Sequence, residues 1–338
     1  MFSEDKHGCA SMPPTESQVL SGRELAALWA RRLPAEDFGP ESDNPYVALD
    51  LEGSDPGLGA WLENLPCPVV GIGEGALAPS CDVVIHDRKT LVGIARNIAA
   101  SPIAAMVLVQ HLRASAGLSP SQALTAESFA YATVQTGPEF RRWHLAHASP
   151  VAHPTQGGTP LLIVREGDVL RITLNNPARR NAIGVEMRDA LVEALELALI
   201  DPSIKSVEIN ASGACFSIGG DVAEFAQVSD PATAHWIRTL RLPARSVMQL
   251  ADRLWVRVNG AAIGAGVEIA CFAKRVTATA DAWFQLPELN YGLIPGAGGT
   301  VSLPRRIGRQ RTAYMALSMR RVPASTALRW GLVDAIEE

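Results

Sequence analysis

The pattern of apolar and polar positions divides the chain into two α/β regions. In the first region, short apolar and β-branched runs predict strands at 47–51, 68–72 and 82–85. Helical patterns follow these strands. Pro102 fits a first helical turn, and Ser119 precedes a proline as a helix cap would.

The second region repeats the same alternation of strand, turn and helix. The runs 169–174, 206–210 and 254–258 predict strands. Between the first two, Met187, Leu191 and Leu195 recur at four-residue spacing, which indicates an amphipathic helix. Alternation of this kind is typical of β-α units, so we predict an α/β fold.

Composition changes mark the boundaries between these parts. Residues 1–22 are rich in Ser, Pro and Glu and are predicted to be a flexible tail. Residues 23–148 form an N-terminal α/β region that is helical in its second half. Residues 149–160 have the composition of a linker, and residues 161–338 form the second region.

The bulk properties exclude several classes of protein. A net charge of -5 argues against nucleic-acid binding, and no apolar run reaches the length of a membrane span. The five cysteines are widely spaced without a C-x-x-C pair, which favours reduced thiols in the cytoplasm. The seven histidines lack ligand spacing, so we predict no metal site.

Two glutamates, Glu268 and Glu288, are the main candidates for catalytic residues in the sequence. Glu268 ends the glycine-rich stretch 259–268. Glu288 lies shortly before a second glycine-rich stretch, 292–300. A pair of carboxylates can act as general base and general acid, and glycine lets backbone N–H groups approach a reacting carbonyl. A third segment, 214–221, leads through Gly219 and Gly220 toward a helix start that can supply another such N–H.

These segments together resemble the crotonase superfamily of acyl-CoA enzymes, and its enoyl-CoA hydratase branch most. The resemblance covers residues 161–338. It is carried by five segments, namely Asn175-Asn176-Pro177 with Arg180-Asn181-Ala182, Phe216 to Asp221, Asn259 to Glu268, Ile294 to Thr300, and Gly331-Leu332-Val333-Asp334. It implies a crotonase-like spiral of ββα units.

The resemblance also implies a role for individual residues. The N–H groups of Gly220 and Ala265 would form an oxyanion hole for the thioester oxygen. Glu268 and Glu288 fall on the acid/base positions of hydratases, with Glu268 as the base toward water and Glu288 as the proton donor. The residues themselves leave that division open, because coupled carboxylates share their titration. The positions expected to bind substrate or CoA are Arg179, Arg180, Asn181, Ala182, Ile218, Gly219 and Asp221.

The implied activity is hydration of a 2-enoyl-CoA thioester by a cytoplasmic lyase. Coenzyme A would be part of the substrate, with no separate cofactor, and the assembly would be a homotrimer or homohexamer. Three alternatives stay open: an isomerase or a hydrolase using the same oxyanion hole, or a CoA-binding subunit without turnover.

One departure from the family pattern concerns the chain after Gly331-Leu332-Val333-Asp334. Family members usually continue there for several helices, whereas this sequence stops at Glu338. The upstream helical patterns resemble those helices. We therefore hypothesise that residues 90–148 take their place, and we interpret the preceding strands as a degenerate crotonase-like unit.

Overall fold

The computed structural model describes residues 19–147, 158–225 and 230–337. Most of the tail predicted at 1–22 and of the linker predicted at 149–160 therefore lies outside the described residues. The remaining elements of both regions can be compared with the sequence predictions.

Helices alternate with strands along the described parts of the chain. The helices are α1 Gly22–Ala30, α2 Gly59–Asn64, α3 Arg88–Ala100, α4 Pro102–Ala114, α5 Pro120–Gln135, α6 Pro138–His147, α7 Val185–Ile200, α8 Pro231–Arg241, α9 Pro243–Gln249, α10 Ala265–Ala270, α11 Gly299–Ile307, α12 Arg309–Ser318 and α13 Ala324–Trp330. The strands are β1 Val47–Asp50, β2 Val69–Ile72, β3 Val83–Ile85, β4 Leu161–Glu166, β5 Val169–Leu174, β6 Ser206–Ala211, β7 Leu254–Val258, β8 Ala261–Ile263, β9 Arg275–Thr279, β10 Trp283–Gln285, β11 Val322–Pro323 and β12 Ala335–Glu337.

The largest sheet has six strands in the order β12-β9-β7-β6-β5-β4. All neighbours pair in parallel except β4 and β5, which form an antiparallel hairpin. Burial alternates along β5, where Leu170, Ile172 and Leu174 face the core. The strands and the amphipathic helix predicted in this region are confirmed.

A smaller sheet, in the order β11-β10-β8, positions the glutamates. Strands β8 and β10 lie side by side in parallel register. Strand β8 runs through Gly264 into α10, which carries Glu268, and β10 is followed within three residues by Glu288. Pairing of β8 with β10 therefore brings together two segments that are twenty positions apart.

The N-terminal region has its own parallel sheet, β1-β2-β3, and the helices α3 to α6 pack on the second region. Asp82, almost fully buried beside β3, forms ion pairs with Arg113 of α4 and Arg309 of α12. The Asn97 side-chain amide of α3 donates hydrogen bonds to the carbonyls of Leu317 and Ser318. Apolar residues of both regions belong to one continuous core.

Two helix starts agree with the sequence expectations. Ser119 caps α5 with a reciprocal hydrogen-bonded box formed with Gln122, and Pro102 occupies the first turn of α4. Arg257 of β7 forms an ion pair with Glu337 of β12 at 2.5 Å.

No single helix in the described ranges is both long and apolar enough to cross a membrane. The helices α3 and α4 pass that test only as a pair, and they are bent by 108° at the break between them.

Candidate active site

The turn at residues 217–221 is held in place by hydrogen bonds from three directions. The Ser217 hydroxyl donates to the Asn181 carbonyl at 2.7 Å and accepts the Gly219 N–H at 3.0 Å. The Ile263 N–H of β8 donates to the Ser217 carbonyl at 2.9 Å. Gly219 has φ +86, a left-handed conformation that favours glycine. The turn is therefore fixed against β8.

A second glycine turn lies directly beside this one. A Cβ placed on Gly219 would meet the Ile263 carbonyl oxygen at 2.6 Å and the Ala265 nitrogen at 3.2 Å. The N–H groups of Gly220 and Ala265 have no acceptor in the described ranges. Ala265 begins α10, where the helix leaves such N–H groups unpaired. Two unpaired backbone donors thus lie on neighbouring turns.

Glu268 is buried and bound by the loop that leads into α11. Its Oε2 atom accepts the N–H groups of Ala297 at 2.7 Å and Gly299 at 2.8 Å. Burial is the main cause that raises the pKa of Glu268 well above its ordinary value, and the nearby Glu288 and Glu127 add to the rise. The two backbone N–H groups oppose it by stabilising the charged form.

Glu288 lies beside Gly264, in the second glycine turn, and is nine-tenths buried. A Cβ on Gly264 would meet the Glu288 Oε1 atom at 2.6 Å, so this carboxyl borders the start of α10. Its Oε2 atom is buried without a hydrogen-bond partner in the described part of the chain. Burial raises the pKa of Glu288 to about 8, so the acid form is favoured at neutral pH.

A third buried carboxylate, Glu127 of α5, was missed by the sequence analysis. It accepts the Gly298 N–H at 2.7 Å, the Thr300 N–H at 2.9 Å and the Thr300 hydroxyl at 2.6 Å. Successive N–H groups of residues 297–300 therefore point alternately to Glu268 and Glu127. Burial raises the pKa of Glu127 to about 7, against these hydrogen bonds. The N-terminal helices thus help to hold the loop that binds Glu268.

Tyr131, one turn further along α5, also belongs to this region. Its ring packs against Gly296, where an added Cβ would collide with it. Burial raises the pKa of the Tyr131 hydroxyl to about 12, and the negative charges of Glu268 and Glu288 contribute to the rise. The tyrosine therefore packs against the loop that leads into α11, within electrostatic reach of both glutamates.

The loop at 177–182, which contains the residues 179–182 expected to bind CoA, borders a cleft of about 620 Å³. Six of its other lining residues come from the two glycine turns and from the β10 end, namely Ile218, Gly220, Asp221, Ile263, Gln285 and Pro287. Arg179 and Arg180 line the cleft, and Arg179 forms an ion pair with Asp221. Asn181 is fully buried, and its amide group binds the carbonyls of Ser212 and Cys215. The structure thus brings Arg180 to the cleft and uses Asn181 to hold the loop.

Other chemically reactive side chains in this region are held by packing or by hydrogen bonds. Burial raises the pKa of the Cys271 thiol to about 12, so it stays protonated. His235 accepts or donates a hydrogen bond with Ser128 and stacks on Phe129 at 4.3 Å. No cluster of metal-binding side chains occurs in the described ranges.

Comparison with known proteins identifies the second region. The sequence model for enoyl-CoA hydratase/isomerase matches residues 165–337. The chain belongs to this family. Its crotonase fold is the one expected from the sequence, and the family consists of enzymes that act on acyl-CoA thioesters.

The relatives match about half of this chain. The 2,3-dehydroadipyl-CoA hydratase of Escherichia coli (strain K12) is 38% identical over 176 residues, which are 52% of this chain and 68% of the relative. The carnitinyl-CoA dehydratase of Salmonella agona (strain SL483) is 32% identical over 177 residues, 52% of this chain and 67% of the relative. The crystal structure of an enoyl-CoA hydratase from Thermoplasma volcanium GSS1 is 33% identical, with a TM-score of 0.48, and covers 53% of this chain and 72% of that one.

The family match begins after the N-terminal helices. Glu127 and Tyr131 lie outside residues 165–337, whereas Glu268 and Glu288 lie inside them. Two of the residues around the buried carboxylates thus come from a part of the chain that this match does not include.

Proposed function

We propose that this protein catalyses the addition of water to a 2-enoyl-CoA thioester. The observation that carries the proposal is the meeting of two buried carboxyl groups, Glu268 and Glu288, at a helix start whose N–H groups are unpaired. A buried carboxyl group without a charged partner is costly, and such groups occur where chemistry requires them.

The thioester oxygen would bind between the N–H groups of Gly220 and Ala265. Attack at the β-carbon moves negative charge onto this oxygen, and fixed donors in a site shielded from water stabilise that charge. Removal of one such donor typically lowers the rate by about 10²–10³. Ala265 also lies at the N-terminus of α10, whose dipole favours negative charge.

The two glutamates would divide the proton transfers. Glu268 would act in its charged form, which the N–H groups of Ala297 and Gly299 stabilise against the effect of burial, and would accept a proton from water as the oxygen attacks the β-carbon. Glu288, whose pKa is raised to about 8, donates its proton to the α-carbon. The net change is the addition of one water, and proton exchange between the carboxyls restores the starting state.

The nucleotide part of CoA would occupy the 620 Å³ cleft beside residues 177–182. Arg180 can meet its phosphates there, while Arg179 is paired with Asp221. Ion pairing fixes Asp221 next to Gly220, so we assign Asp221 a structural role in the turn.

We further propose a homotrimer or homohexamer, as the family resemblance implies. Sedimentation velocity of the full chain would give a mass of three or six chains. A monomer that retains full activity would contradict this part of the proposal.

The activity is tested with a panel of 2-enoyl-CoA thioesters by following loss of enone absorbance. We expect turnover by the wild type and a fall of about 10²–10⁴ in kcat for both Glu268→Gln and Glu288→Gln. Glu196→Gln, on the exposed face of α7, is the matched control and should be fully active. Turnover that neither active-site substitution affects would refute the assignment. Loss with only one of them would favour an isomerase, and CoA binding without any turnover would favour a binding subunit.

A further inference from the structure

The loop that leads into α11 is held by two carboxylates from different regions of the chain. The N–H groups of residues 297–300 donate alternately to Glu268 of α10 and Glu127 of α5, at 2.7 to 2.9 Å. A helix start leaves such N–H groups without intrahelical partners, so the two carboxylates satisfy two donors each. The position of the Glu268 carboxylate is therefore tied to that of Glu127 through this loop.

Glu127 is held in turn by a hydrogen-bond chain that reaches into α4. The Thr300 hydroxyl donates to Glu127 Oε2 at 2.6 Å, and the Nε2 atom of His111 lies 2.8 Å from the Thr300 oxygen. A hydroxyl has one hydrogen, which Thr300 uses on Glu127, so His111 donates from Nε2. Burial lowers the pKa of His111 to about 4, so the ring is neutral at pH 7 and its one ring hydrogen is on Nε2.

His111, Thr300 and Glu127 lie away from the proposed CoA cleft. Each is at most 7% exposed, and the described residues that line the 620 Å³ cleft do not include them. They can therefore influence the reaction only through the loop that holds Glu268. Proton transfer is sensitive to such placement, because a displacement of about 1 Å can lower a rate about 10²-fold.

We propose that Glu127 and His111 are positioning residues for water addition, which hold residues 297–300 so that the Glu268 carboxylate is aligned with the attacking water. This inference rests on the proposed function for the reaction, and on the shared loop for the alignment. Both residues precede the family match at 165–337, so the N-terminal region would complete the active site.

The test measures kcat and KM of the full chain with a short 2-enoyl-CoA. Glu127→Gln keeps the size of the side chain but only one acceptor oxygen, so it should lower kcat about 10- to 100-fold and leave KM unchanged. His111→Leu removes the donor to Thr300 and should lower kcat about 3- to 10-fold. His111→Gln, which keeps an N–H donor, should restore most of that loss.

Glu139→Gln is the matched control. Glu139 of α6 is also buried, and its carboxylate accepts the N–H groups of Ile103 and Ala104 at 2.7 and 2.9 Å, at the start of α4. This variant loses the same kind of contact but no bond to residues 297–300, so its kcat should equal that of the wild type. An equal fall of kcat in Glu139→Gln and Glu127→Gln would overturn the inference, because it would reflect a general loss of stability.

Two further kinetic results would overturn the inference. One is an unchanged kcat in Glu127→Gln, and the other is a raised KM at constant kcat, which would mean that the network serves binding. The two His111 variants decide the question even if Glu127→Gln does not fold. Equal kcat values for His111→Leu and the wild type would then overturn the inference.

Amide hydrogen exchange at residues 297–300 separates this inference from the proposed reaction. It should be about 10-fold faster in Glu127→Gln than in the wild type, faster to a smaller extent in His111→Leu, and unchanged in Glu139→Gln. Unchanged exchange in Glu127→Gln and His111→Leu would overturn the inference even if hydration is observed. A wild type that turns over no 2-enoyl-CoA would refute the hydratase, and faster exchange in these variants would still show that α4 and α5 hold the Glu268 loop.

Discussion

Replacing Glu288 with glutamine should stabilise the folded protein as the pH rises, although it removes activity. Burial raises the pKa of Glu288 from 4.5 to about 8, so the folded chain keeps a proton that the unfolded chain has lost. Stability that depends on this proton is complete below the unfolded pKa and is lost as the pH rises through the folded one. The slope is about 1.4 kcal/mol per pH unit for one proton.

Glutamine avoids this loss because it has no proton to release. It also costs no hydrogen bond at Oε2, which has no partner in the described chain. The free energy of unfolding of Glu288→Gln should therefore exceed that of the wild type by roughly 3 to 5 kcal/mol above about pH 8, and by little near pH 4.5.

Urea unfolding at one protein concentration, from about pH 5 to pH 9, would measure this difference. It should widen steadily and become constant above about pH 8. Glu196→Gln, at an exposed position on α7, is the control and should give no such widening. A difference between Glu288→Gln and the wild type that does not change with pH would refute the reasoning, because Glu288 would then be charged throughout.

Three further predictions concern how the site is held. Glu127→Ala leaves the N–H groups of Gly298 and Thr300 unpaired. It should therefore lower the free energy of unfolding, measured by urea denaturation, by about 3–5 kcal/mol. A loss below about 1 kcal/mol would contradict this prediction. A chain shortened to residues 150–338 should be insoluble or inactive in expression trials, because it lacks the Glu127 carboxylate. A soluble, oligomeric and fully active product would refute our hypothesis that residues 90–148 replace the usual C-terminal helices. Gly219→Ala should lower kcat about 10²-fold, because its Cβ would displace the Ile263 carbonyl, whereas Gly93→Ala, in open space on α3, should be fully active. Equal kcat values for these two glycine variants would contradict the role of the turn.

The sequence predicted the parts of the site whose signals are local. The glycine stretches before Glu268 and after Glu288 are contiguous patterns, and the strands next to them have clear alternation. The pairing of β8 with β10 then places the two segments that carry the glutamates side by side.

Glu127 could not be assigned in the same way because its partners are more than 170 positions away. A weak signal was present. Ala123, Leu124, Glu127 and Ser128 share the buried face of α5, so a glutamate occupies a position where an apolar residue is usual. Helical spacing alone does not distinguish such a carboxylate from one on a solvated face. The contact of His111 with Thr300 likewise depends on tertiary packing.

Hydration in water enriched with ¹⁸O tests the central claim most directly. With a short 2-enoyl-CoA as substrate, the account predicts a product that carries one heavy oxygen at the β-carbon and none in the acyl carbonyl. Glu268→Gln and Glu288→Gln should form this product about 10²–10⁴ times more slowly. A shifted double bond without heavy oxygen, or heavy oxygen in a released carboxylic acid, would contradict the claim.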